Sequence, residues 1–135
     1  MTVSFAWHGA FTNTEVNVLH AEAFETRVFS SEEWDWSALT ERFSLGWVTA
    51  RLGRDLVGFV NVLADGLVHA WLQDVMVAAS ARGQGIGAGL VAEARAACVV
   101  AGYEWLHADF TEELKPFYLE RCGFTATPAG TIRLA

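Results

Sequence analysis

Between residues 77 and 86 the chain changes its hydrophobic period, and glycine marks the change. Up to Val77 apolar residues follow strand-like runs; from Ile86 they recur every three or four positions, as on a helix. The joint is Arg82-Gly83-Gln84-Gly85-Ile86-Gly87. Alternating glycines strip side chains from a turn and leave backbone N–H groups exposed at the positive end of the next helix. A phosphate can sit there. The joint demands strand, bare turn and helix in that order, and it poses one question: which phosphate-bearing molecule the turn meets.

The rest of the pattern places the joint within a single 135-residue domain, large enough for one continuous core. Phe5–Trp7 reads as a short strand. Thr12 or Asn13 caps a helix predicted to run to about Phe29, with Val16, Leu19, His20 and Ala23 on one side. Ser30-Ser31 opens a second cap, Trp34–Phe43 a second helix, and Gly46 is its expected stop. Three strands follow as a meander, at Trp47–Leu52, Leu56–Leu63 and Leu67–Val77, turning at Gly53-Arg54-Asp55 and Ala64-Asp65-Gly66. Gly58 inside the second of these signals a bulge or a close approach by another segment.

After the joint, Ile86, Leu90, Ala94, Ala97 and Ala101 form an apolar stripe flanked by Val91 and Cys98, and Gly102 closes the helix. Trp105–Asp109 then reads as a buried strand. Arriving by a helical crossover, it is expected parallel to the strand ending at Val77. Glu112–Cys122 is a last helix whose regular part begins near Lys115, because Pro116 tolerates only a first turn. Phe124–Thr127 and Thr131–Leu134 are expected as closing strands. The fold class is α/β (mixed α+β): a mixed, mostly antiparallel sheet with helices on both faces.

Composition removes several functions. The net charge of −7 gives no basic field for nucleic acid. No apolar run approaches a membrane span, the N-terminus lacks a signal-peptide pattern, and Cys98 and Cys122 show no disulfide or metal spacing. A cytoplasmic protein with no metal and no membrane partner is expected. Residues 1–44 carry seven carboxylates against two arginines; this is either a solubilising face or a preference for a cationic substrate. Glu22 and Glu25 are the candidates for the second option. The tryptophans Trp34, Trp36, Trp47 and Trp71 are core, dimer-interface or acceptor-pocket residues. His8, His20, His69 and His107 lack ligand spacing.

For the glycine turn, a Walker-type ATP loop is excluded by the missing lysine. A dinucleotide fingerprint is matched formally by Gly83-x-Gly85-x-x-Ala88, but a meander precedes it instead of the first strand of a doubly wound sheet. The third option draws on the flanks. Arg82-x-x-Gly85-x-Gly87 after Asp74-Val75-Met76-Val77, followed by a strand ending at Asp109, then Pro116-Phe117-Tyr118 and Cys122-Gly123-Phe124, resembles the GCN5-related N-acetyltransferase (GNAT) family over about residues 45–127.

That resemblance implies an acetyl-CoA-dependent N-acetyltransferase, or a non-catalytic acyl-CoA-binding module of the same fold, with a splayed pair of parallel strands. It implies that Val75, Met76 and Val77 meet the pantetheine and thioester, and that Gly83, Gln84, Gly85, Ile86 and Gly87 hold the pyrophosphate. Arg82 adds charge or loop order, and Phe117 and Tyr118 close the cofactor site. Tyr118 is implied as the general acid and Asp74 is a candidate base or amine holder. The acceptor is then a primary amine of a small molecule or peptide, with a homodimer as a possible assembly. One departure stands out: four residues separate Tyr118 from Gly123, where the family usually has three. The extra residue either bulges the helix and leaves Tyr118 in place, or rotates it off the thioester.

Overall fold

A computed structural model describes residues 2–135. Five strands form one sheet in the order β1-β2-β3-β4-β5: β1 Val3–Trp7, β2 Ser44–Leu52, β3 Asp55–Ala64, β4 His69–Val77 and β5 Trp105–Ala108. The first four are antiparallel neighbours, and β5 lies parallel to β4, as the helical crossover requires. Three α-helices, α1 Asn13–Phe24, α2 Trp36–Phe43 and α3 Ile86–Val100, cover the two faces. Adjacent residues of β3 show the division. Phe59 packs edge-on against Trp36 and Phe11, whereas a Cβ at Gly58 would lie 3.0 Å from both Ile86 and Leu90 of α3. Gly58 therefore marks a close approach, by helix side chains, and the β2–β3 register slips by one residue beside it.

Helix α1 starts with a capping box. The Glu15 N–H donates to Thr12 Oγ1 (3.1 Å) and the Thr12 N–H donates to Glu15 Oε1 (3.0 Å), which settles the cap on Thr12. Asn13 instead joins the two helix starts, accepting from the Ser37 N–H at 2.8 Å and donating to Asp35 at 2.9 Å. The helix stops at Phe24, five residues before the expected end. Glu25 turns left-handed (φ 54°) and Thr26 N–H closes onto Ala21 C=O at 3.1 Å. Phe29, freed from the helix, folds back to 5.8 Å from the His20 ring.

Helix α2 begins at Trp36, capped by Asp35 through the Ala38 N–H at 3.0 Å. The expected cap at Ser30 exists only as an isolated turn, in which Ser30 and Glu33 exchange hydrogen bonds. Gly46 ends no helix. It lies in β2, where Trp7 and His8 rings occupy the space a side chain would fill.

The core runs along β3 and both helical layers, with Trp36, Phe59, Met76 and Leu90 fully buried. On α3 the buried stripe is Ile86, Leu90, Val91, Ala94 and Cys98; Ala97 is half-buried and Ala101 exposed, because the helix turns them past the sheet. Strand β5 is an edge, not a buried strand: Trp105 is 64% exposed. Neither Phe124–Thr127 nor Thr131–Leu134 joins the sheet. Split by Pro128-Ala129-Gly130, these short segments have too few ladder bonds to hold a hairpin unaided. Among the described residues no helix is long and apolar enough to cross a membrane.

Candidate active site

The joint after β4 is built as its glycines require. A single tight turn, Ala79–Ala81, follows the strand, and Gly83 and Gly85 then adopt φ of +78° and +77°. Neither has an atom within 4 Å of where a Cβ would stand, so these positions are glycine for backbone conformation and open access, not for packing. Helix α3 starts at once. Among the described residues the backbone N–H groups from Gly83 to Ala88 have no protein acceptor. Successive free N–H groups at a helix start form an anion cradle.

Helix α1 fastens this loop. Glu22 Oε2 accepts the Ala79 N–H at 3.0 Å, and Arg82 Nη2 donates to the Glu22 backbone carbonyl at 3.2 Å. Arg82 thus orders the loop, and Glu22 is a loop anchor occupied by a backbone amide. The two partners are 57 and 60 residues apart in sequence, and no local pattern announces the contact. Glu25 sits at the left-handed end of α1, exposed.

Strand β4 supplies the second component. It pairs with β5 only from His69 to Leu72 and then runs on alone on that side to Val77. Just where the pairing stops, Asp74 and Val75 together oppose Val60 of β3, a bulge in which Asp74 takes φ +58°. A left-handed aspartate is uncommon and costs conformational energy that the surrounding sheet must offset. Beyond the bulge Ala78 N–H bonds to Val57 C=O at 2.8 Å, and Met76 pairs with Phe59. By strand alternation Val75 and Val77 direct their main-chain groups away from β3, into the gap left by β5.

Tyr118 lies in the segment that follows β5. Residues Pro116–Arg121 form one π-helical stretch, in which Cys122 N–H reaches back five residues to Phe117 C=O at 3.0 Å. The wider turn absorbs the residue that makes the Tyr118–Gly123 spacing one longer than usual. Tyr118 is only 6% exposed, stacked on Phe110 (4.8 Å) and edge-on to Phe117 and Phe124. Phe117 in turn lies against the first turn of α3, 3.1 Å from a Cβ position at Gly87.

Burial, with smaller contributions from Cys122 and the Asp74 carboxylate, pushes the Tyr118 hydroxyl up to about 12. It stays protonated at neutral pH. Burial also raises the Asp74 carboxyl, and His20 on α1 pulls it partly back. Asp74 therefore sits within electrostatic reach of both Tyr118 and His20. In the sequence His20 continues the apolar stripe of α1, which hides its nearness to Asp74. A polar ring on such a stripe was the available signal.

The other singled-out residues lie elsewhere. His69 Nδ1 and His107 Nε2 are 2.8 Å apart, and His107 stacks on Trp71, on the paired part of β4 and β5. His8 stacks between Trp7 and Trp47, whose indole N–H bonds to Gly9 C=O at 2.7 Å. Burial raises both cysteine thiols, which suits packing and not nucleophilic attack. Beside the loop, an open groove of 430 Å³ runs between Ala88, Ala92, Ala96 and Val99 of α3 and Arg121-Cys122, with Arg95 on its wall.

Known proteins agree with this architecture. The family model for the acetyltransferase (GNAT) domain matches residues 44–126. No curated protein matches the sequence. Among solved structures, a protein of unknown function and probable acetyltransferase from meticillin-resistant Staphylococcus aureus superposes with TM-score 0.80 at 17% identity, covering 99% of each chain. Glucosamine-6-phosphate N-acetyltransferase from Arabidopsis thaliana gives 0.74 at 15%, covering 96% of this chain and 97% of the other. AAC(6')-Iy in complex with the bisubstrate analogue CoA-S-monomethyl-acetylneamine gives 0.79 at 13%, covering 100% and 99%.

At these identities the structures establish a common fold, while the family match spans most of the chain and contains the glycine loop, the bulged strand and Tyr118. The loop's free amides, its two left-handed glycines and the open edge of β4 fit an acyl-CoA pyrophosphate and its pantetheine arm. This chain belongs to the GNAT acetyltransferase family, whose acyl donor is acetyl-CoA.

Proposed function

We propose that the protein is an N-acetyltransferase that joins the acetyl group of acetyl-CoA to a primary amine, on a small molecule or peptide, by direct attack in a ternary complex. One observation carries this reading: a bare, amide-lined loop follows the unpaired edge of β4, and Phe117, next to the buried Tyr118, packs with Val77 around the first turn of α3. Acetyl-CoA supplies an acyl group already activated as a thioester. The chain has to hold it, polarise its carbonyl, and assist the departing sulfur.

The amides of Gly83, Gln84, Gly85, Ile86 and Gly87 hold the pyrophosphate, with Arg82 keeping the loop on α1. Main-chain groups of Val75 and Val77, on either side of Met76, bind the pantetheine and polarise the carbonyl. Phe117 walls the arm off from α3. Arg95 and Arg121, exposed on the groove that continues from the loop, take the phosphoadenosine end.

Tyr118 faces the sulfur. A phenol near 12 is a poor full donor to a thiolate, since a free cysteine thiol ionises at about 8.5. Its role is to donate a hydrogen bond to the sulfur as charge develops, while the attacking nitrogen's own proton neutralises it. Asp74 holds the incoming ammonium. Similar structures of enzymes acting on amino sugars and their derivatives support a small-molecule amine as acceptor. A thiol-release assay with acetyl-CoA and a panel of amines tests the proposal. Tyr118→Phe should cut turnover and leave the acetyl-CoA Kd unchanged; equal turnover removes Tyr118 from the mechanism.

A further inference from the structure

The α1 end of the site holds an imidazole with an unsatisfied atom. His20 Nδ1 is buried and, among the described residues, is the one buried side-chain nitrogen or oxygen without a hydrogen-bond partner. Such an atom is costly in a finished interior and is expected where a ligand completes it. The ring is boxed by Phe24 at 4.9 Å, Trp34 at 5.7 Å, Phe29 at 5.8 Å and Trp36 at 5.9 Å. Trp36 is fully buried, its indole N–H spent on Asn17 at 2.9 Å, so it forms a rigid floor. Phe24 and Trp34 are 43% and 40% exposed and form an open rim. Within electrostatic reach of His20, at the left-handed bulge of β4, lies the half-buried Asp74, with no hydrogen-bond partner among the described residues.

Resting on the acetyl-transfer reading above, we propose that the acceptor is a primary amine carrying an aromatic or bulky apolar group, and that His20 takes the proton that frees its nitrogen for attack. The apolar part lies among Phe24, Phe29 and Trp34, and the ammonium meets the Asp74 carboxylate and the aromatic faces, a pairing that suits one localised cation. A polycation would leave further charges against the apolar walls at a desolvation cost. The ammonium gives one proton to the His20 imidazole, which passes it to water at the rim. The freed lone pair forms the C–N bond to the acetyl carbon as the C–S bond breaks. The second N–H proton ends on the sulfur, leaving amide, thiol and one released proton.

The test pairs ring NMR with kinetics, using 2-phenylethylamine and spermidine as probes. Phenylethylamine added to the CoA-bound protein should shift the His20 ring resonances, and spermidine at equal concentration should not. In thiol release, kcat/KM for phenylethylamine should exceed that for spermidine at least tenfold. His20→Phe, which keeps an aromatic ring in the box, should lower kcat about 100-fold, within the usual range for a general base, without weakening acetyl-CoA binding. Trp34→Ala should raise KM for phenylethylamine. Unshifted His20 resonances, a preference for spermidine, or full turnover in His20→Phe overturns the assignment. A shifted His20 with no thiol release from any amine overturns the proton role and acetyl transfer together, and leaves only an amine-binding box.

Discussion

Gly85 offers the sharpest separation of fold from function. It caps α3 at φ +77° and ψ 12°, and a Cβ there would touch nothing within 4 Å. Gly85→Ala therefore loses no packing, and its whole cost is the left-handed conformation, about 1–2 kcal/mol for an L-residue. Gly85→Asn should cost only about a few tenths, since asparagine visits that region with a short polar side chain that bonds locally. For a chain of 135 residues each kcal/mol moves Tm by about 3–5 °C, so alanine lowers it by about 3–10 °C and asparagine hardly at all.

Donor binding should fail in both variants. Either side chain projects over the free amides of residues 83–88, and loss of one good phosphate contact, about 1.4 kcal/mol or more, weakens acetyl-CoA at least tenfold. S-acetylpantetheine, which has no pyrophosphate, should be used by Gly85→Asn as well as by wild type. Thermal unfolding, calorimetric titration and thiol release with both donors read the three quantities. An asparagine variant with normal Tm and unchanged acetyl-CoA affinity would show that the pyrophosphate does not rest on this loop.

Other perturbations address separate parts. Asp74 has its carboxyl raised by burial, so the folded state holds the proton more tightly than the unfolded chain. Its contribution is most favourable at acid pH and is lost as pH rises through the folded value. Asp74→Asn, compatible with φ +58°, should raise Tm at neutral pH and slow turnover; a lower Tm contradicts the burial argument. Glu15 is held below the ordinary carboxylate range chiefly by its hydrogen bonds from Arg51, at 2.8 and 3.0 Å. Its contribution is full above the unfolded pKa and is lost as pH falls through the folded one. Glu15→Gln should cost about 1–2 kcal/mol at pH 7 and flatten the acid limb of Tm against pH; an unchanged limb refutes the assignment. The double variant Arg95→Ala/Arg121→Ala should weaken CoA but not 3'-dephospho-CoA in calorimetry, and equal loss for both ligands would place the 3'-phosphate elsewhere.

Much of this was legible because the decisive signals are local. The change of period at Gly85 marks β4, the loop and α3 together, and a helical crossover leaves β5 no orientation but parallel. Tyr118 could be picked out and its irregular spacing read as a bulge, and the backbone bond from Cys122 to Phe117 shows that bulge as a π-turn. What stayed hidden depends on contacts distant in sequence. The α1 terminus moves from Phe29 to Phe24, where Glu25 turns left-handed and Phe29 folds back onto His20. Glu22 reads as a free surface acid until the Ala79 amide is placed beside it. The left-handed turn at Asp74 has no glycine to announce it. At the other end, Phe124–Thr127 and Thr131–Leu134 have strand-like composition, but composition does not supply a pairing partner.

In the proposed reaction a donor seated on the glycine loop is used by an amine beside Asp74 and His20 with help from Tyr118. The most direct measurement is amine-dependent release of CoA thiol from acetyl-CoA, with mass spectrometry of the amine. One thiol should be released for each N-acetyl group gained, with a loss of about 100-fold or more in Tyr118→Phe at unchanged acetyl-CoA affinity. Tight binding of acetyl-CoA with no acetylated amine across aryl, alkyl, amino-sugar and peptide acceptors would contradict it and make the protein a binding module.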